Sequence, residues 1–520
     1  MRNAHAVAGV RAAEGALMAL LPDGALMQRA AAGLASACAR LLRLADGVYG
    51  ARVVVLVGSG DNGGDALYAG ARLAARGAVV TAIAAASRAH QGGLAALRES
   101  GGRLIEAAGT DPAPAAQAAE AGAGQGPDVG AAQAAVEAIA DADLIIDGLL
   151  GIGGRGGLRE PAASLAAAAG RSGALVVAVD LPSGIEADTG EVAGAAVQAD
   201  VTITFGTLKP GLLIDPGASC AGVVERIDIG LDPYLGGPDV AAPQSADIAA
   251  WLPRPSAESD KYRRGVLGVV AGSDRFTGAA PLAVGGAIRG GAGMVRLVSA
   301  PAAAAVVRQY WPEAVITTTG DGRPGDAVIA GAGQVQAWVA GPGMGTDEAA
   351  VSLLAAVLAT DLPVLVDADG ITMLAAHRRL LERSAPTLLT PHAGELARLL
   401  GAERPDVEAH RLRFATRAAA ELGCTVLLKG STTVIAPPGP GQEVLVNPTG
   451  TSWLATAGSG DVLSGLAGSL LAQGLDPLRA AGAAAYLHGM AARLAADGAP
   501  IGSTDIITAL PAAIRAVAGG

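Results

Sequence analysis

The chain is poor in cysteine, aromatic residues and lysine. Its three cysteines, Cys38, Cys220 and Cys424, stand far apart in 520 residues. That spacing excludes a disulfide framework and a paired-cysteine metal site, and it fits a reducing compartment. Aromatic residues are 2% of the chain, so any core must pack on Leu, Val, Ile and Ala. Positive charge is also short, with 37 Lys and Arg against 48 Asp and Glu and a formal net charge of −11. With no long basic run, no nucleic-acid partner is expected. Long apolar runs are missing too. The uncharged stretch 327–346 is interrupted by Gln334, Gln336, five glycines and Pro342, and a membrane helix needs about 20 mostly apolar residues. No membrane partner is expected. The opening MRNAHAVAGVRAAEG reaches Arg11 and Glu14 too early for a signal-peptide core, and a cytoplasmic location follows as the expectation.

What is present has order. The length suits two cores of ordinary size. In the first half, 52–58, 142–147, 174–180 and 200–205 are short, nearly continuous apolar runs, the pattern of strands covered on both faces. Helices are expected at 66–76 and 161–170. In the second half, 265–273, 337–343, 362–370, 387–392 and 424–430 each end a strand in polar or Gly residues, and after Gly458 the chain reads as Ala-rich helices. This alternation predicts an α/β chain with parallel sheets. The segment 110–133, rich in Ala, Gly, Pro and Gln, reads as a mobile surface insertion. Domains are expected at 1–236 and 259–520, with 237–258 as a linker poor in helix and strand signal.

Three strand ends in the first half carry chemistry. The loop GSGDNGGD, 58–65, follows a strand and opens a helix, a place where glycines and free N–H groups receive a phosphate. It is neither a Walker A loop nor the GxGxxG fingerprint. Asp147 and Asp180 each end a strand before a Gly-rich or Pro-bent loop. Adjacent strand ends would set Asn62, Asp147, Asp180 and Ser183 around one crevice. One carboxylate, an amide, a hydroxyl and carbonyls suit a hard monovalent or divalent cation. The second carboxylate is then free to move a proton. In the second half, TAGSGDVLSG places Gly458, Ser459 and Gly460 before Asp461 at an expected helix N-terminus. Such N–H groups stabilise a transferring phosphoryl group, and Asp461 can take the proton from an attacking hydroxyl. LLKGSTT, 427–433, reads as strand–turn–strand with Lys429 beside a glycine. Lysine is scarce, with only Lys209, Lys261 and Lys429 in the chain. All three fall inside motifs, which suggests they are kept where a compact ammonium is required.

With GSGDNGGD, DGLLGIGGRGG, DLPSGIEADTG and FGTLKPG on the page, the first half resembles the NAD(P)H-hydrate epimerase family over roughly 26–232. The resemblance implies a Rossmann-like three-layer domain that interconverts the R and S forms of NAD(P)H hydrated at C6. It implies K⁺ held by Asn62, Asp147 and Ser183. Asp61, Asn62, Gly63, Gly64 and Asp65, with Gly151, Ile152, Gly153, Gly154, Arg155, Gly156 and Gly157, would line the substrate. Asp180 would be the acid/base and a substrate contact. Asp61 departs from the family's usual Asn, and Arg155 is the candidate to offset its charge. The second half, by LLKGSTT, NPTG and GSGD, resembles the ribokinase-like α/β fold. By KYRRGVLGVVAGSDRFTGAA, GPGMG, DADG and LTPHAGE it resembles the ADP-dependent NAD(P)H-hydrate dehydratase over roughly 246–517. Lys429, Gly430, Ser431, Thr432, Thr433 and Gly460 would then contact the nucleotide. Ala279, Gly343, His392 and Asp461 would contact the hydrate, with Asp461 catalytic. Mg²⁺ would arrive with ADP, and a homo-oligomer is expected. A second reading stays open: a ribokinase-superfamily kinase for a vitamin precursor, fused to a non-catalytic Rossmann-like binding module.

Overall fold

Successive strand residues feed two separate cores, which is why the first-half strands read as continuous apolar runs. In β1 (Arg52–Val57), Val53, Val55 and Val57 face one cluster, while Val54 and Leu56 face the other. The computed structural model describes residues 1–86, 88–107, 127–320, 322–439 and 441–519, with side chains of 127–129 excepted. It divides into two compact units. One is Asn3–Pro238; the other is Asp239–Gly520 together with Met1–Arg2.

The sheet of the first unit contains β1, β2 (Val79–Ala84), β3 (Arg103–Glu106), β4 (Leu144–Gly148), β5 (Leu175–Val179), β6 (Val201–Phe205) and β7 (Val223–Ile227). All are parallel, in the order β3-β2-β1-β4-β5-β6-β7. The chain starts at β1, runs out to β3 and returns to β4 on the other side of β1. The loops after β1 and β4 therefore flank a topological switch point, where open α/β sheets form a ligand crevice.

The second unit repeats the plan with other strands: β8 (Val240–Ala242), β9 (Val266–Val270), β10 (Met294–Ser299), β11 (Val315–Thr318), β12 (Ala337–Ala340), β13 (Val364–Val366), β14 (Thr387–Leu389), β15 (Thr425–Leu428), β16 (Thr433–Ala436) and β17 (Val444–Asn447). They run in the order β8-β17-β16-β15-β14-β13-β12-β9-β10-β11. The pairings β15–β16 and β16–β17 are antiparallel, as a strand–turn–strand requires. Here the switch point lies between β9 and β12. Helix Ser459–Ala472 is buried along nearly its whole length. It lies close against helix Ala279–Arg289, because a Cβ at Gly465 would stand 1.9 Å from the Ala283 carbonyl oxygen.

Both units are α/β with mainly parallel sheets, in keeping with the sequence. Three local expectations change. Helix Asp61–Ala74 starts five residues before the expected 66, so NGGD is its first turn rather than a loop ahead of it. The expected linker 237–258 contains β8 and helix Ser245–Trp251, both in the second unit. Of the expected insertion 110–133, positions up to 126 lie outside the described residues. From Pro127 the chain is helix Pro127–Ala140, not insertion.

Candidate functional sites

In the first unit, the loops after β1, β4 and β5 place polar atoms around one backbone carbonyl. Leu150 O accepts from Asn62 Nδ2 at 3.0 Å and from Ser183 Oγ at 3.1 Å. Asp147 accepts from Ser183 Oγ at 2.7 Å, Ser183 N at 2.8 Å and Leu149 N at 3.2 Å. Asn62, Asp147 and Ser183 are thus brought together, and glycine makes this possible. A Cβ at Gly151 would lie 3.1 Å from the Asn62 side chain, and one at Gly58 would lie 1.8 Å from Leu149 O. The Asp147 carboxylate is wholly buried with only neutral donors bonded to it. Burial pushes its pKa up to about 6, although the Ser183 and Leu149 hydrogen bonds pull the other way. An amide, a carbonyl, a hydroxyl and a buried carboxylate with no compensating charge fit a potassium ion by donor chemistry.

Asp180 does not join that cluster. It sits at φ +67°, a left-handed conformation that few non-glycine residues adopt. Its Oδ1 accepts from the Lys209 ammonium, from Thr204 Oγ1 at 3.0 Å and from Phe205 N at 3.1 Å. Lys209 is 1% exposed. A buried lysine paired to the carboxylate is a feature the motif reading did not use.

Beside the first turn of helix Asp61–Ala74 is a cavity of about 360 Å³. Its lining includes Asp61, Asp65, Tyr68 and His90, with Glu14 from helix Val7–Met18. Asn62, Gly63 and Gly64 are buried in the turn itself. Burial, with Asp180, Asp61 and Glu14, pushes the Asp65 carboxyl well above its usual range. Burial also raises the Glu14 carboxyl, against the pull of Lys209 and Arg11, with Asp180 and Asp61 adding to the rise. In the glycine loop, Arg11 Nη2 lies 3.2 Å from where a Cβ on Gly153 would stand. Gly157 packs on Gly194, and Gly156 takes φ +72°. Gly151, Ile152 and Gly154 are partly buried, and Arg155 is exposed. Arg155, expected to offset Asp61, instead acts on Glu186. Arg11 and Glu14, which entered the sequence reading only as marks against a signal peptide, belong to this site. The signal available was their i, i+3 spacing, which puts both on one face of a helix.

In the second unit two cavities meet at Asp461. The first, about 500 Å³, lies at the β9–β12 switch point and is lined by Arg275, Phe276, Ala279, Gly343, Asp369 and Asp461 among others. The second, about 770 Å³, is lined by Asp367, His392, Lys429, Gly430, Ser431, Thr433, Gly460, Asp461 and His488 among others. Thr432 is buried and does not line it. His392, expected beside Ala279 and Gly343, stands on this second cavity. Its Nδ1 accepts from Gly394 N and Glu395 N and caps helix Ala393–Leu400. Lys261, marked in the sequence by the scarcity of lysine, is exposed with its Nζ 5.4 Å from the Tyr262 ring centroid.

Gly458 at φ +84° caps helix Ser459–Ala472, so Ser459, Gly460 and Asp461 form its first turn. Lys429, in the turn between β15 and β16, donates to Asp367 Oδ1 at 2.7 Å, and Ser464 Oγ donates to Asp367 Oδ2 at 2.5 Å. Burial alone would lower the Lys429 ammonium, but Asp367, Glu395 and Asp461 together hold its pKa above the ordinary value. A Cβ at Gly460 would lie 3.3 Å from Lys429 Nζ. Burial, with Asp367, Asp369 and Glu395, raises Asp461 to about 7 against the pull of Lys429. That suits a proton acceptor near neutrality. Burial and Lys429 lower His488 to about 4, so it is neutral at pH 7. No helix among the described residues is long and apolar enough to cross a membrane.

Comparison with known proteins follows the same division. A family model described as NAD(P)H-hydrate dehydratase matches residues 267–512, and one described as YjeF-related protein N-terminus matches 23–211. A bifunctional NAD(P)H-hydrate repair enzyme of Moorella thermoacetica is 35% identical, covering 85% of this chain and 82% of that protein. An ADP/ATP-dependent NAD(P)H-hydrate dehydratase from Bacillus subtilis, co-crystallised with ATP/Mg²⁺, aligns with 54% of this chain and 99% of its own. It is 30% identical, at a TM-score of 0.48. The bifunctional NAD(P)H-hydrate repair enzyme of Mycobacterium leprae is 48% identical over 96% of both chains. By that match the chain belongs to the family of bifunctional NAD(P)H-hydrate repair enzymes.

Proposed function

We propose that the chain repairs hydrated NAD(P)H at two sites. An epimerase in 1–236 interconverts the R and S hydrates, and a dehydratase in 259–520 returns the S hydrate to NAD(P)H at the expense of ADP. The observation that carries the reading is Asp461, the one acidic residue shared by two cavities. The larger cavity, with Lys429 and the 430–433 turn, takes ADP, and Mg²⁺ enters with its phosphates. The smaller, with Ala279 and Gly343, takes the hydrate. Asp461 accepts the proton of the C6 hydroxyl as its oxygen bonds to the β-phosphorus and the bond to AMP breaks. Phosphate is a far better leaving group than hydroxide. It departs from C6, a C5 proton is lost, and the C5–C6 double bond returns. The donors exposed at the first turn of helix Ser459–Ala472 stabilise the charge that develops.

In the first unit, Asn62, Asp147 and Ser183 would hold K⁺, whose charge would balance the buried carboxylate and offset a dinucleotide's phosphates. Asp180 moves the proton at the C6 hydroxyl, and the Lys209 side chain, bonded to its Oδ1, fixes the carboxylate in place. The same reading carries a cytoplasmic homo-oligomer, which sedimentation of the pure chain would test. The decisive assay incubates the protein with mixed R and S NADH hydrate and follows NADH absorbance with ADP, with ATP and with neither. Recovery of both isomers with ADP supports the reading. Recovery of the S half alone removes the epimerase, and no recovery removes the dehydratase.

A further inference from the structure

The hydrate cavity of the second unit has two acidic residues in its lining, Asp369 and Asp461. Among the described residues lining it, Arg275 is the single cation. A hydrated nicotinamide dinucleotide brings a pyrophosphate, two negative charges that such a cavity repels unless a cation meets them. Arg275 is placed to do so. Its loop is pinned, since Phe276 N donates to Ser273 Oγ at 3.2 Å. Gly343 at φ +61° lets the β12 loop come so near that a Cβ there would stand 3.1 Å from Phe276 Cβ and 2.7 Å from Ala279 Cβ. The guanidinium lies 5.0 Å from the centroid of the Phe276 ring, and no ion pair among the described residues includes it. Phe276 is one of three phenylalanines in the chain, yet it is 44% exposed. A guanidinium held over an aromatic ring and outside any ion pair is a fork prepared for phosphate oxygens.

We propose that Arg275, seated on Phe276, is the specificity contact for the pyrophosphate of the hydrated dinucleotide, so that the dehydratase selects an anionic dinucleotide rather than a bare hydrated nicotinamide. This rests on the assignment of the β9–β12 cavity to the hydrate. Arg275 touches phosphate and takes no part in proton or phosphoryl transfer. Its removal therefore acts on substrate binding alike in ground and transition state, and the effect falls on KM rather than kcat.

The test compares wild type, Arg275→Ala and Arg275→Lys at saturating ADP on two substrates: S-NADH hydrate and the S hydrate of reduced nicotinamide riboside, which has no phosphate. Losing a charge-assisted bidentate contact at a partly exposed site should raise KM for S-NADH hydrate about 10-fold, with the lysine variant in between. The KM for ADP should stay unchanged, and on the riboside hydrate all three proteins should coincide. Wild-type KM for S-NADH hydrate should rise with ionic strength, and Arg275→Ala should lose that dependence. An Arg275→Ala protein that matches wild type on S-NADH hydrate overturns the proposal. So does an equal loss on the riboside hydrate, which would mean the arginine only shapes the loop. If wild type itself forms no NADH from S hydrate and ADP, the assignment of the cavity fails and this inference falls with it.

Discussion

Asp461 and Lys429 show how far one side chain can be pushed by its neighbours. A general base must be ionised to act. Because burial and three carboxylates raise Asp461 to about 7, ADP-dependent NADH formation should rise with pH through about 7 and level off above it. Asp461→Asn should lower that rate about 10²–10⁴-fold and remove the rise. A wild-type profile flat from pH 6 to 8 would count against Asp461 as the base. Lys429→Arg should raise the KM for ADP, because the ammonium fits between Asp367 and the backbone at Gly460, where a planar guanidinium is too wide. Overlapping ADP titrations for variant and wild type would leave Lys429 a structural lysine. Both residues were legible in the sequence, since each sits next to glycines in a short motif. Lys209 was only half legible. Its scarcity marked it, but its partner Asp180 lies 29 residues away and no spacing connects them. Lys261 shows the limit of that argument, since scarcity alone marked it equally and it lies exposed on a turn.

At the level of elements, the strand ends decide what can be charged. In β5–β6 the pair Asp180–Lys209 is buried, so removing one partner strands the other. Lys209→Met should cost about 3–5 kcal/mol of stability and abolish epimerisation. Adding Asp180→Asn should return most of the melting temperature but none of the activity; if the double variant is no more stable than Lys209→Met, the pair is not coupled. The β4 end behaves differently. Asp147 has a folded pKa of about 6, above its ordinary value of 3.8. Between those values the folded state holds a proton the unfolded chain has released, so stability falls as pH rises through that window and stays lower above it. A bound cation cancels that penalty. Potassium should therefore raise the melting temperature at pH 8 and do little at pH 5, with sodium as the ionic-strength control. An equal rise at both values would argue against a cation on Asp147. Central strands such as β1 and β4 were readable because both faces are buried. Among those missed, β3, β7 and β11 are sheet edges with exposed positions, where the apolar pattern fades.

For the molecule as a whole, the two halves were legible as two α/β cores because each repeats strand, loop and helix. The boundary was not, because β8 and helix Ser245–Trp251 are too short for a periodic signal and gain their place from the second unit's sheet and helices. Each unit has its own switch point and its own cavities, and every residue assigned to the epimerase lies in one unit while every residue assigned to the dehydratase lies in the other. If the hydrate moves between them through solvent, the two activities need not share a molecule. Given pure R-NADH hydrate and ADP, Asp180→Ala should stall at epimerisation, and Asp461→Asn should make S hydrate without forming NADH. An equimolar mixture of the two variants should then form NADH from the R isomer, above the uncatalysed background, at a rate that rises with the concentration of either protein. Chromatography for the isomers and absorbance for NADH read both steps in one tube. Should the mixture stay at background while each variant keeps its remaining single activity, the S hydrate must pass within one molecule, and independence of the two sites would be wrong.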